Sequence, residues 1–136
     1  MLFRSASNRG RVARVLAQIR ARLGDDLAGK RVLVAGVTYK PDVADLRAAA
    51  PLRLLRHLHH ARAELAWHDP VIGAVPKALS SIPRSVALKM PDGAQPEAII
   101  LGTPHRAFDL AAITRAAPLA FDPFGILPAG PSVIVV

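Results

Sequence analysis

Apolar residues recur along this chain at two different periods, and the alternation between them marks its elements. Val12, Val15, Leu16, Ile19 and Leu23 follow three- and four-residue steps, which predicts an amphipathic helix over 8–23 with Gly24 as its stop. Val32-Leu33-Val34-Ala35 is a continuous apolar run, too short for a helix, and predicts a buried strand over 31–36. The helical period returns with Leu52, Leu55 and Leu58, for a helix over 46–61. A turn over 61–64 leads into a second strand, Leu65-Ala66-Trp67-His68, closed by Asp69-Pro70. Residues 70–84, rich in Pro, Ser and Gly, read as loop with a short helix near 75–80; Val86-Ala87-Leu88 reads as a short strand and 91–96 as loop. Ala98-Ile99-Ile100-Leu101 is a third buried strand, followed by a helix over 107–116. Residues 118–121 make a fourth strand that ends at Asp122-Pro123-Phe124-Gly125, and 133–136 are either a last edge strand or a frayed end.

Strand–helix–strand units with continuous apolar strands predict an α/β class: a Rossmann-like three-layer domain with a mostly parallel sheet, preceded by an N-terminal helix. The strand at 31–36 is expected at its centre, covered on both faces. The division expected is an arm and helix over 1–27 and an α/β domain over 28–136. In such sheets ligands bind beyond the carboxyl ends of the strands, near helix starts. The three-glycine dinucleotide fingerprint is absent after the first strand, which is followed by Gly36 alone, and no Gly-Lys-Ser/Thr phosphate loop occurs.

Composition narrows the picture. At 136 residues and 51% hydrophobic, the chain has enough apolar mass for one core, built of Ala, Val, Leu and Ile because only 4% is aromatic. The formal net charge of +8 is largely local: Arg4, Arg9, Arg11, Arg14, Arg20 and Arg22 all precede the first acid, Asp25. That arm lacks aromatic platforms and any nucleic-acid motif, which argues against nucleic acid as a partner. The absence of cysteine excludes disulfides, thiolate metal sites and a cysteine nucleophile, and fits a cytoplasmic location. No apolar run approaches a membrane span, and no apolar signal segment is expected at the N-terminus.

The turn after the first strand concentrates chemistry: Lys40, Asp42, Asp45 and Arg47. Lys40 and Arg47 are candidate anion ligands, or solvated partners of the two aspartates; Asp42 and Asp45 read as turn and cap residues. His57 and His60 share a helix face without a third metal ligand at useful spacing, so a solvated face is preferred. His105 at a strand end reads first as a loop anchor and second as a proton shuttle. Asp69 and Asp122 end strands and precede prolines; structural turns are preferred over ribose readout because the glycine fingerprint is missing. Trp67 reads as core.

The segment Gly29-Lys30-Arg31-Val32-Leu33-Val34-Ala35-Gly36-Val37-Thr38-Tyr39-Lys40-Pro41-Asp42-Val43-Ala44-Asp45-Leu46-Arg47 resembles the opening of the C-terminal, UDP-binding domain of the UDP-glucose/GDP-mannose dehydrogenase family. Trp67-His68-Asp69-Pro70, then Ala98-Ile99-Ile100-Leu101-Gly102-Thr103-Pro104-His105-Arg106-Ala107-Phe108, then Asp122-Pro123-Phe124-Gly125-Ile126-Leu127 extend the resemblance in order, over about 28–127. The resemblance implies an NAD-dependent oxidation of a nucleotide-sugar C6 alcohol to a carboxylate, as in polysaccharide biosynthesis. NAD is implied for the full-length family and is not expected to bind this chain alone. The implied partners are a nucleotide sugar (a UDP-sugar or GDP-mannose), a companion NAD-binding domain carrying the catalytic cysteine, and a second copy through a long central helix, whose end would be the helix at 8–23; no membrane is implied. By position, Lys40 matches the family lysine that reaches the substrate, and Arg47 the arginine that faces the cofactor across the domain interface, so both are substrate-site candidates and Arg47 also a cofactor-site candidate. Two departures stand out: Ala48-Ala49-Ala50 replaces the usual Glu-Ser-Pro, and Phe124 replaces an arginine. The expected function is a nucleotide-sugar-binding domain of a 6-dehydrogenase, inactive alone. The alternative is a non-catalytic interaction or regulatory module that kept the fold and lost the ligand site.

Overall fold

The computed structural model describes residues 2–136, with side chains described from residue 9 onward; Arg4 of the basic cluster therefore lies outside the described side chains. Helix α1 spans Leu2–Leu23, strand β1 Arg31–Ala35, helix α2 Ala50–His60, strand β2 Glu64–His68, strand β3 Ala98–Leu101, helix α3 Leu110–Arg115, strand β4 Leu119–Asp122 and strand β5 Val133–Val135. The five strands form one sheet in the order β2-β1-β3-β4-β5, and every pairing is parallel.

Each strand alternates its side chains between two cores, which explains why its sequence is apolar without a break. Val32 and Val34 of β1, with Trp67, Ile100 and Phe121, pack under Val12, Val15, Leu16 and Ile19 of α1 and Leu52, Leu55 and Leu58 of α2. Leu33 and Ala35, with Ile99, Leu101 and Ala120, face Ile113 of α3 together with Met90 and Leu127. Trp67 is fully buried, and its ring nitrogen donates to the Ile82 carbonyl at 3.0 Å.

Several boundaries differ from the sequence expectation, each for a local reason. β3 is the middle strand and β1 its neighbour, because the chain steps outward from β1 to β2 and then returns across β1 to place β3 on its other side. α2 begins at Ala50 and not at 46: Ala48 sits at φ 55° and Ala49 is extended, so the helix can start only at the turn carrying Pro51. α3 begins at Leu110 and not at 107, because the Asp109 side chain caps it by accepting from the Ala112 N–H at 3.2 Å. Residues 86–88 are not a strand; Ser85 Oγ donates to the carbonyls of Ala87 and Lys89 and turns the chain away, leaving a single bridge between Trp67 and Arg84. The helix expected near 75–80 is one 3-10 turn, Lys77–Leu79. α1 extends further upstream than its apolar period; nothing in 2–7 is a proline or glycine that would end it.

The carboxyl ends of β1 and β3 meet backbone to backbone. A Cβ on Gly102 would lie 2.2 Å from the Gly36 carbonyl oxygen and 2.9 Å from Pro51 Cβ, and Gly36 itself holds φ 88° against the Thr103 backbone. Gly102→Ala is therefore expected to destabilise the fold by about 2–3 kcal/mol through overpacking. Gly73→Ala, where a Cβ meets nothing within 4 Å, is expected to change it by less than about 0.5 kcal/mol. Urea unfolding of the two variants checks the difference.

Candidate functional site

The strand order places a reversal between β1 and β3: the connection from β1 runs to one side of the sheet and that from β3 to the other. Diverging loops open a crevice at such a point. Here the loop after β1, the loop after β3 and the loop after β4 surround it, and buried polar groups hold all three in place.

Asp69, at the end of β2, is the hub. Its side chain is fully buried; Oδ2 accepts from the Val37 N–H at 2.8 Å and from His105 Nε2 at 2.9 Å, and Oδ1 accepts from the Val71 N–H at 2.8 Å. Burial alone would push this carboxyl up, but the His105 and backbone hydrogen bonds outweigh it and hold Asp69 below the ordinary aspartate value. His105 Nδ1 accepts from the Asp42 N–H at 2.8 Å, which puts the ring proton on Nε2, facing Asp69. Thr103 Oγ1 donates to the Thr38 carbonyl at 2.8 Å, and Thr38 Oγ1 to the Lys40 carbonyl at 2.8 Å. After β4, the buried Asp122 carboxylate accepts from the N–H groups of Phe124, Gly125 and Leu127 at 2.8–3.0 Å. Asp69, Asp122 and His105 thus anchor loops.

Between these loops lies a cleft of about 280 Å³, walled by Tyr39 and Pro41, by Ala50 and Pro51 at the start of α2, by Gly102, Thr103 and Pro104, and by Phe124 and Arg11. The Arg11 guanidinium carbon stands 4.8 Å from the centroid of the Phe124 ring. Sequence reasoning passed over Arg11, because its nearest chain neighbours make it look like one more charge on a basic helix.

The structure does not bring Lys40 and Arg47 together in this cleft. Lys40 is exposed, between the wall residues Tyr39 and Pro41. Arg47 falls within the helix expected over 46–61 but lies on loop before α2, 91% exposed, and its Nε and Nη2 grip both oxygens of Asp45 at 3.1 and 3.0 Å. That grip and the Arg47 N–H hold the Asp45 carboxyl down at about 2. Arg47 borders a separate depression of about 330 Å³ with Arg53 and Arg56. Asp42, at φ 64°, accepts from the Arg106 N–H and guanidinium, which lower its carboxyl. Neither aspartate caps α2. His57, His59 and His60 face solvent, and among the described residues no three metal-ligating side chains converge. No helix among the described residues is long and apolar enough to cross a membrane.

A family model described as "UDP-glucose/GDP-mannose dehydrogenase family, UDP binding domain" matches residues 33–129. UDP-glucose 6-dehydrogenase AglM of Haloferax volcanii is 39% identical over 64 residues, which make up 47% of this chain and 14% of that protein. Among solved structures, a UDP-glucose dehydrogenase from Pyrobaculum islandicum superposes with a TM-score of 0.63 at 25% identity, over 75% of this chain and 24% of that one. A GDP-mannose dehydrogenase from Pseudomonas aeruginosa shares the fold, with a TM-score of 0.70 at 19% identity over 94% of this chain and 31% of that one.

Replacing Asp69 by Ala would leave the buried Val37 N–H and His105 Nε2–H, and the half-buried Val71 N–H, without their acceptor, and a loss of about 3–5 kcal/mol is expected in denaturant unfolding. Because the folded Asp69 value lies below the unfolded one of ~3.9, the folded state binds fewer protons there. Its contribution is complete above that unfolded value and is lost as the pH falls through the folded one. Stability curves recorded between about pH 6 and pH 2 should therefore fall on acidification in the wild type, and less steeply in Asp69→Asn. Asp45→Ala, which removes a half-buried carboxylate from a guanidinium that stands in solvent, should shift the midpoint near neutral pH far less than Asp69→Ala.

Proposed function

Because this chain belongs to the UDP-glucose/GDP-mannose dehydrogenase family, by its match to the family's UDP binding domain over residues 33–129, we propose that it binds the nucleotide part of a nucleotide sugar in the cleft beyond β1 and β3. The observation that carries the reading is the cleft itself. It lies at the strand-order reversal, it is large enough for part of a nucleotide, and its walls are fixed by buried hydrogen bonds before any ligand arrives. Lys40 reaches over its rim to the diphosphate, and Arg47 faces a cofactor held by a companion domain. Residues 1–27 act as the end of a connecting helix and 28–136 as the binding domain. The setting is a cytoplasmic, NAD-dependent 6-dehydrogenase of polysaccharide biosynthesis, acting on a UDP-sugar or GDP-mannose and dimerising through that helix.

The residues of this chain do not fit NAD at the usual place in a dinucleotide fold. The space beside Gly36 is filled by the Thr103 backbone, and the Asp69 carboxylate, where an acid would read a ribose, is spent on Val37, Val71 and His105. The chain also has no cysteine to carry a thioester. Hydride transfer therefore falls to another domain, and this chain's part is to bind and orient the substrate.

A second reading, a non-catalytic module that kept the fold, draws on Phe124 in the cleft wall and on Arg47 already bound to Asp45. Titration of UDP into the labelled protein, followed by NMR, separates the two. Saturable shifts near residues 36–47 are expected, with a Kd on the order of hundreds of micromolar, about −5 kcal/mol, and weaker by about fivefold or more in Lys40→Ala. Equal binding by Lys40→Ala would remove that residue from the site, and no saturable shift at all would favour the module. The purified chain mixed with UDP-glucose or GDP-mannose and NAD is expected to form no NADH above the protein-free rate, read at the NADH absorbance.

A further inference from the structure

Arginines near the strand ends of this fold differ in what they are bonded to. Arg31 pairs with Glu64 and Asp92, Arg47 with Asp45, and Arg106 with Asp42. No carboxylate among the described residues lies within ion-pair distance of Arg11, although it is half-buried in the wall of the cleft. Its place is set by packing: the next residue on α1, Val12, and then Val15 are buried against the sheet and α2, and both border the narrow apolar crevice that Arg11 shares with Leu54 and Pro123. Its guanidinium carbon stands over the Phe124 ring, 4.8 Å from the centroid. Phe124 is held in turn by its own N–H donating to Asp122. A guanidinium laid on an aromatic face keeps its edge N–H groups free, and loses little freedom when an anion takes them.

We infer that Arg11 is a second phosphate-binding residue of the cleft, beside Lys40, its guanidinium presented by the Phe124 ring to the diphosphate of a bound nucleotide. This deepens the nucleotide-binding reading and rests on it. Position 124 is where the family resemblance places an arginine. In this chain the aromatic ring there does not remove the positive charge from the cleft; it carries one delivered by a different element, α1. Planar, bidentate recognition of phosphoryl oxygens follows from the guanidinium, whereas a lysine at position 11 would offer only a point charge.

The test uses the whole chain and three probes: UDP, inorganic pyrophosphate and uridine, titrated by NMR or calorimetry. Arg11→Ala is expected to weaken UDP and pyrophosphate by about tenfold or more and to leave the weak uridine contact unchanged. Arg11→Lys should fall between. Phe124→Leu, which removes the ring and keeps the charge, should weaken UDP several-fold. The double variant Arg11→Ala/Phe124→Arg should regain most of the loss, an outcome that a purely structural role for Arg11 would not produce; backbone NMR spectra report whether each variant keeps the fold. If the wild type binds UDP and Arg11→Ala binds it equally well, the assignment of Arg11 is wrong while the nucleotide reading stands. If the wild type binds neither UDP nor pyrophosphate, both are wrong.

Discussion

One carboxylate with no solvent exposure ties the strand-end loops of this sheet to one another. Burying an ionised aspartate costs several kcal/mol unless donors replace the lost water. Asp69 has three such donors, from the loop after β1, from its own turn and from His105 after β3. None of these loops can move away without stranding the charge. His105 extends the constraint, because its second nitrogen accepts from the Asp42 backbone and so fixes the sharp bend where that residue takes a positive φ. The crevice between β1 and β3 is therefore preformed, which lowers the ordering cost of filling it.

The same economy explains why a Rossmann-like sheet of this kind serves a nucleotide differently from a dinucleotide-binding domain. Close approach of the β1 and β3 ends at Gly36 and Gly102 leaves no room for a pyrophosphate against the first turn. The acid at the end of β2 is turned inward as a structural hub. What remains open is the outer crevice, walled by Tyr39, Thr103, Phe124 and the start of α2, with α1 closing one side. Helix α1 thus borders the cleft as well as the core, since its buried stripe fixes which of its arginines can reach that wall.

Charge in this protein is better understood by pairing than by sum. The net +8 is large for 136 residues, yet Arg31, Arg47 and Arg106 are matched by nearby carboxylates. In the Arg47–Asp45 pair the guanidinium stands in solvent and the carboxylate is half-buried, and pairs screened in this way add little stability. Its effect is local: it occupies a guanidinium that the motif alone presents as free. Arg11 is the converse case, a residue that looks like one of six similar N-terminal arginines and is set apart only by what it stacks on.

The buried strands and their parallel class were legible from the chain, because burial on both faces writes itself as an unbroken apolar run of fixed length. The loop-anchoring roles of Asp69, Asp122 and His105 were legible too, since a short polar side chain at a strand end has few other uses. Helix starts were read less well: the apolar period continues through 46–49, and only the left-handed backbone at Ala48 delays α2. What the tertiary structure alone decided is which distant residues meet. Asp69 finds His105 across 36 positions, and Arg11 finds Phe124 from the opposite end of the chain. Periodicity records how each residue is buried, but strand order determines its neighbours, and that order is set by crossovers whose side-chain contacts leave no local pattern.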